Sequence, residues 1–283
     1  MNRTEKLLDG IDKHRESGIE IGPLCRPIVK KSEARIFYVD YADAEFLRAK
    51  FRNDPGVDIS QIVEIDGVWG KNTLIEATAS FAPVDYVIAS HVIEHVPNLI
   101  SWLSEMESVL SDHGRVRLAI PDKRYTFDIF RKETGVADVL GAHLLNARIP
   151  SVVQVYDHFM NFTETRAPDV WRGKYPEEGI RSRTIADYRE LLRVNMEVVK
   201  NGTYHDVHCW VFTPSSFAFL MERLSSFGLN NLKCVKFFNT ERDDHEFFVH
   251  LEKTTSQDEL IESWKYMCRV ADTDSKLTYQ SRS

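Results

Sequence analysis

Ser17–Pro27 reads SGIEIGPLCRP, a short apolar run that carries one acid and ends on a glycine and a proline. That pattern predicts a buried first strand running into a ligand loop. Gly22 removes the Cβ that would hold a ligand off the backbone, and Pro23 fixes the chain direction just past the strand end. In doubly wound α/β sheets this place, outside the carboxyl ends of the strands, is where nucleotide-like ligands bind.

Before this stretch, Thr4–Arg15 has the spacing of an amphipathic helix with Leu7, Leu8 and Ile11 on one side. After it, Ile28–Ser32 is helical in character and Ala34–Asp40 is a strand ending on a carboxylate. Asp40 follows Glu20 by about 20 residues, the spacing of one βαβ unit, which places it to accept hydrogen bonds from two ribose hydroxyls. The plain alternative is a strand-end or helix-capping aspartate. Ala44–Phe51 is predicted as a helix, and Gln61–Asp66 as a third strand opening into Gly-Val-Trp-Gly. Asp66 and Trp69 then share a sheet edge with Asp40, and a carboxylate beside an aromatic suits an adenine. The competing reading is an ordinary loop with a half-buried tryptophan.

Val84–Ser90 is a fourth strand bounded by Pro83, and it runs straight into HVIEHVP. A helix over Leu99–Leu110, a turn at Asp112–Gly114 and a fifth strand over Arg115–Ile120 follow. Alternating strands and helices force right-handed crossovers and a parallel sheet covered on both faces.

The 283 residues are 43% hydrophobic, enough for a substantial core. A net charge of −7 leaves no broad basic footprint, so a nucleic-acid partner is not expected. Cys25, Cys209, Cys234 and Cys268 form no CxxC pair, so neither a disulfide framework nor a zinc ribbon is indicated and a reducing cytoplasm is the expectation. No apolar run approaches a membrane span.

GIEIGPL, YVDY, VDYVIASHVIEHVPN and the Asp-His-Gly turn before RVRLAIPD resemble, in order and spacing, the motifs of the class I S-adenosylmethionine-dependent methyltransferases. The resemblance spans residues 15–122. It implies an α/β fold with a seven-stranded, mostly parallel, doubly wound Rossmann-like sheet whose last strand is antiparallel. It also implies S-adenosylmethionine as cofactor, with Glu20, Gly22, Pro23 and Leu24 lining the methionine and ribose region. Asp40, with neighbouring Tyr41, would hold the ribose, and Asp66 and Trp69 would lie near the adenine. Ser90, His91 and His95 fall on the segment beside the sulfonium. Many relatives have a second glycine where this chain has Leu24. That departure counts more against a dinucleotide, whose pyrophosphate needs close backbone approach, than against a cofactor with no phosphate.

Residues 123–211 form a largely helical cap inserted after the fifth strand of a single 1–283 domain; insertions there sit over the methyl group in this family and usually build the acceptor pocket. Ser215–Ser226 is then a helix, Leu232–Phe238 and Glu246–Glu252 are the last strands, and Leu260–Met267 is a helical patch. His158, His205 and His208, with Asp206 adjacent, are candidates for the base that takes a hydroxyl proton; the alternative is that each ring is structural. His205, Asp206 and His208 have a spacing that can bind a divalent metal, but residues so close rarely converge without a helix or tight turn, and no metal centre is predicted. Arg124, Tyr125, Arg166, Trp171, Arg172, Arg181 and Arg183 offer cationic forks and flat faces that suit an acidic carbohydrate or phosphorylated acceptor, against the alternative of a solvated basic face. ASHVIEHVPN, PDKRYTFD and HDVHCWVFTP look most like bacterial methyltransferases of surface-polysaccharide and lipopolysaccharide assembly. The expected function is O-methylation of a sugar hydroxyl in a surface glycan or its precursor. The rivals are N-methylation of a small amine and a non-catalytic cofactor-binding accessory role.

Overall fold

The computed structural model describes residues 1–70, 72–175 and 185–280. Its strands are β1 Ser17–Ile21, β2 Arg35–Asp40, β3 Gly67–Val68, β4 Val84–Ser90, β5 Leu110–Pro121, β6 Leu232–Phe238 and β7 Glu246–Lys253. They form one sheet in the order β3-β2-β1-β4-β5-β7-β6. β1 runs parallel to β2 and β4, β4 parallel to β5, and β7 antiparallel to both β5 and β6. This is the expected seven-stranded, mostly parallel Rossmann-like sheet, and its strand order reverses between β1 and β4. Such a switch point opens a crevice at the carboxyl ends of those strands.

One face of the sheet is thickly covered. Ile19, Val87, Leu118 and Val249 pack with α4 (Leu99–Val109), α9 (Pro214–Ser226) and α10 (Gln257–Gln280) in one core. Helix α4 forms because Leu99, Leu103 and Met106 recur on one side while the Asn98 side chain accepts from Ser101 N–H at its start. The opposite face is thinner: Leu7 of α1 (Arg3–Leu7) and Val29 close over Tyr38, Tyr86, Ile88 and Phe248.

Four local expectations are corrected. The helix expected over Thr4–Arg15 is only α1. Ile28–Ser32 is a set of turns, because the Glu20 carboxylate accepts from the Ile28 and Val29 amides and holds the crossover down. The third strand is Gly67–Val68, not Gln61–Asp66: Ile59–Gln61 is a 3-10 turn, and Asp66 crosses to Tyr38 through side chain and backbone. Asp112–Gly114 is no separate turn, since β5 already begins at Leu110 and pairs with Val84 past an irregularity in register. Helix α2 (Ala44–Lys50) and β6 lie where expected. Between β5 and α9 the cap contributes α5 (Val136–Leu144), α6 (Val152–Asn161), α7 (Ala167–Trp171) and α8 (Ile185–Asn201). Among the described residues no helix is long and apolar enough to cross a membrane.

His250 of β7 is buried, and its Nε2–H donates to Lys6 O at 2.8 Å. Burial, with Arg117 nearby, pushes it down to about 4 from an ordinary 6.5. The unfolded chain takes up this proton near 6.5 and the folded chain only near 4, so the stability His250 contributes is present above pH 6.5 and lost as pH falls through 4. In urea titrations, wild type is expected to lose about 3 kcal/mol more than His250→Gln between pH 7 and pH 4. An equal loss in both proteins would show that His250 is not held neutral by the fold.

Candidate functional site

Two candidate half-sites lie at the carboxyl ends of the strands, one on each side of the switch point. On the β1–β2 side, Gly22 takes φ +69° and its N–H donates to Val39 O at 2.9 Å; a Cβ there would lie 3.0 Å from Val92 Cγ2. Leu24 also adopts a left-handed φ of +44° without glycine's freedom, which costs about 1 kcal/mol. Pro23 O accepts from Arg26 N–H and closes the loop. Asp40 is buried at the end of β2. Its Oδ1 accepts from Tyr41 N–H at 2.7 Å, while Oδ2 has no hydrogen-bond partner among the described residues. Burial pushes its carboxyl up to about 6, against the pull of the Tyr41 amide and Lys50.

Three expected cofactor contacts are placed otherwise. Glu20 spends both carboxylate oxygens on the Ile28 and Val29 amides, at 2.7 and 3.0 Å, and burial raises it to about 7. It shapes the loop from below. Asp66 is turned to the flank of β2, accepting from Tyr38 N–H at 2.8 Å and Lys31 Nζ at 2.6 Å. The Trp69 indole donates to Glu105 at 2.8 Å and packs on the core; its backbone N–H, 2.8 Å from Asp40 O, keeps it beside Asp40. Tyr41 is exposed, with Lys50 Nζ 4.8 Å from its ring centre.

On the β4 side, SHVIEH leaves the strand through a left-handed His91 (φ +53°), whose N–H donates to Ala119 O. The turn brings three imidazoles around Glu94, a residue 1% exposed. His95 Nδ1 lies 2.8 Å from Asp206 Oδ1, and His208 Nδ1 lies 2.6 Å from Asp128 Oδ2. His91 Nε2 lies 2.9 Å from Glu246 Oε2. Each ring turns its other nitrogen toward Glu94 Oε1, at 3.9, 4.0 and 3.7 Å for His95, His208 and His91. Burial alone would lower His91 and His95, but Glu246 and Asp206, with Glu94 beside both, hold them above the ordinary histidine value. Asp128, although buried, is held below the ordinary carboxylate value by His208 and Arg131. Arg3 reaches this edge too, donating to Ser90 Oγ and, at 2.7 Å, to Glu246.

These side chains open on a cleft of about 480 Å³ whose lining includes His91, Glu94, His95, His208, Tyr125 and Arg166. Of the cap histidines, only His208 lines it. His158 sits behind, its Nδ1 accepting from His208 N–H at 3.3 Å, and burial with the nearby His208 pushes it down to about 4. His205 is absent from the lining. The spacing of His205, Asp206 and His208 therefore makes no common centre: Asp206 turns to His95 and to Lys50 Nζ at 2.6 Å, while His208 turns to Asp128. Tyr125 stacks on Trp171 at 4.3 Å, and the Trp171 indole donates to Asp244 O. Arg124 is folded back onto Asp122 as a bidentate pair, with Nη2 to Oδ2 at 2.5 Å, and does not line the cleft. Arg172 reaches Asp169 at 3.6 Å; Arg181 and Arg183 lie outside the described residues. Sequence reasoning missed Glu94, Asp128 and Lys50. The usable signal for Glu94 was its position three residues after His91 and directly before His95.

No protein-family profile matches the chain, and no curated protein matches it. Among solved structures it is similar to a chain from Rhodobacter sphaeroides described as a Zn-dependent alcohol dehydrogenase, at TM-score 0.48 and 13% identity over 89% of each chain. It is also similar to the magnesium protoporphyrin IX methyltransferase of Synechocystis PCC 6803 with bound SAM, at TM-score 0.35 and 9% identity over 89% of this chain and 76% of that one. A third is the CcbJ methyltransferase of Streptomyces caelestis, at TM-score 0.37 and 10% identity over 86% and 90%.

Proposed function

We propose that this chain is an S-adenosylmethionine-dependent methyltransferase whose acceptor is a hydroxyl, in a sugar of a surface glycan or its precursor. The observation that carries the reading is Asp40: a buried carboxyl with one oxygen unspent, at the switch point, beside the left-handed Gly22 turn. A ribose diol supplies the missing donors there. The cofactor supplies a methyl group on a sulfonium, and transfer needs the acceptor oxygen, methyl carbon and sulfur in line. Ser90 and His91 border the place between the two half-sites. Arg166 and the Tyr125–Trp171 stack give the acceptor side a guanidinium and flat faces that suit an acidic saccharide. The hydroxyl proton leaves on the side of Glu94, His95 and His208.

Titration calorimetry with S-adenosylhomocysteine is expected to show binding that Asp40→Ala weakens tenfold to a hundredfold, about 1.5–3 kcal/mol for a lost charge-assisted pair of hydrogen bonds. Absence of heat, or an unchanged affinity in the variant, overturns the cofactor assignment. Incubation of labelled cofactor with acidic saccharides, nucleotide sugars and amines tests the acceptor. Labelling confined to amines overturns the hydroxyl reading.

A further inference from the structure

Glu94 is the anomaly of the site. Its carboxylate is 1% exposed, yet neither oxygen has a hydrogen-bond partner among the described residues. Leaving a buried carboxylate unsatisfied costs several kcal/mol, so something else is expected to meet it. The second nitrogens of His91, His95 and His208 face it, and of these the ligating atoms of His95 and His208 with a Glu94 oxygen all lie within 4.8 Å of one another. Gaps of 3.9 and 4.0 Å are too long for hydrogen bonds. They are close to the spacing of donors around a shared cation, roughly 3–3.5 Å for bonds of roughly 2.1 Å.

The outer contacts point the same way. His208 gives Nδ1 to Asp128 at 2.6 Å, which leaves its Nε2 as the lone pair aimed inward, and His95 has the Asp206 carboxylate 2.8 Å from its Nδ1 as a charge contact short of hydrogen-bond geometry. A carboxylate behind each imidazole is the arrangement that fixes ring orientation and tautomer in metal centres. Arg131 in turn steadies Asp128 at 2.9 Å. The cleft runs past the three donors, so positions for water or an acceptor oxygen stay open.

We propose that Glu94, His95 and His208 bind a first-row divalent cation such as Zn²⁺ or Mn²⁺. Two imidazoles and one carboxylate suit these ions and not the all-oxygen preference of Ca²⁺. The binding stands on the geometry alone; the cation's part in the reaction rests on the methyltransferase reading. In that part the acceptor oxygen approaches the cation, which makes its hydroxyl more acidic. The proton leaves to water in the cleft, the oxygen forms its bond to the methyl carbon as the carbon–sulfur bond breaks, and that electron pair stays on sulfur. His208 then serves as ligand, and the cation's charge is unchanged.

The test is calorimetric titration of chelator-treated protein with Mn²⁺ and with Zn²⁺, beside Glu94→Gln, His208→Gln and His205→Gln. One equivalent is expected in wild type and in His205→Gln, with at least 30-fold weaker binding in the other two. Melting temperature without metal establishes that each variant is folded, and His208→Gln keeps the test open should Glu94→Gln fail to fold. No stoichiometric uptake of either ion, equal uptake in all four proteins, or a loss only in His205→Gln overturns the site. Titration of the same chelated protein with S-adenosylhomocysteine separates the two proposals. Cofactor binding without cation binding removes this one alone, and cation binding without cofactor binding removes the methyltransferase reading alone.

Discussion

Gly18→Ala is expected to lower the stability of the fold by about 3 kcal/mol or more, read as a fall in the urea midpoint. Gly18 of β1 is the register partner of Tyr86 in β4, and a Cβ on it would lie 2.1 Å from Tyr86 Cε2 and 2.2 Å from Cζ. The Tyr86 ring is fully buried between β1 and the core face made by Tyr38 and Phe248, so it has nowhere to swing. Overpacking of this kind costs about 1–3 kcal/mol and more where neighbours cannot yield. Tyr86→Leu in the same background is expected to restore most of the loss by removing the clashing atoms. Tyr86→Phe alone is expected to be neutral or stabilising, because the hydroxyl is buried without a partner among the described residues. An unchanged midpoint in Gly18→Ala would mean that β1 does not lie on β4 in this register, and the switch point would fall with it.

Arg131→Met is expected to cost about 3 kcal/mol, because it leaves the buried Asp128 carboxylate with His208 alone beside it. Arg131 is 2% exposed and holds Asp128 at 2.9 Å and Asp157, of α6, at 2.7 Å. It ties the start of the cap to the helix above it. Arg131→Lys keeps the charge but not the two-armed fork, and is expected to recover only part of the loss. The double variant Arg131→Met with Asp128→Asn is expected to be less destabilised than the sum of its parts, since the buried Asp128 charge is removed together with its Arg131 partner. Strict additivity, or a loss in Arg131→Met below about 1 kcal/mol, would show that this pair does not seat the cap.

The strands that could be read from sequence were those whose pattern is local. Val84–Ser90 is a continuous apolar run behind Pro83, and Leu232–Phe238 is bounded by asparagines; both form with the expected limits. Helix α2 carries its own start signal in Asp43, whose side chain accepts from Phe46 N–H. The failures are tertiary. Nothing local says that Glu20 will take the Ile28 and Val29 amides and stop a helix there, or that Asp66 will fold back on Tyr38 and postpone β3 to Gly67. The site divides in the same way. Gly22, Asp40, His91 and His95 are legible because the strand ends that carry them are legible. Glu94 gains its meaning from His208, more than a hundred residues later in the chain, and Asp128 from its contact with the same ring. Among the cap histidines, spacing could not separate the one that lines the cleft from the one packed behind it.

Asp206 is a single carboxylate held from two sides, by Lys50 of α2 and by His95. The first grip belongs to the arm that follows Asp40, the second to the turn that carries Glu94. A ligand on the Asp40 side that draws Lys50 away removes one of the two partners of Asp206 and strengthens its hold on His95. A ligand that draws on His95 acts back on Lys50 in the same measure, because linkage between two equilibria is reciprocal. The two halves of the crevice are therefore joined through one side chain, and the affinity for a ligand in either half is expected to depend on whether the other is filled.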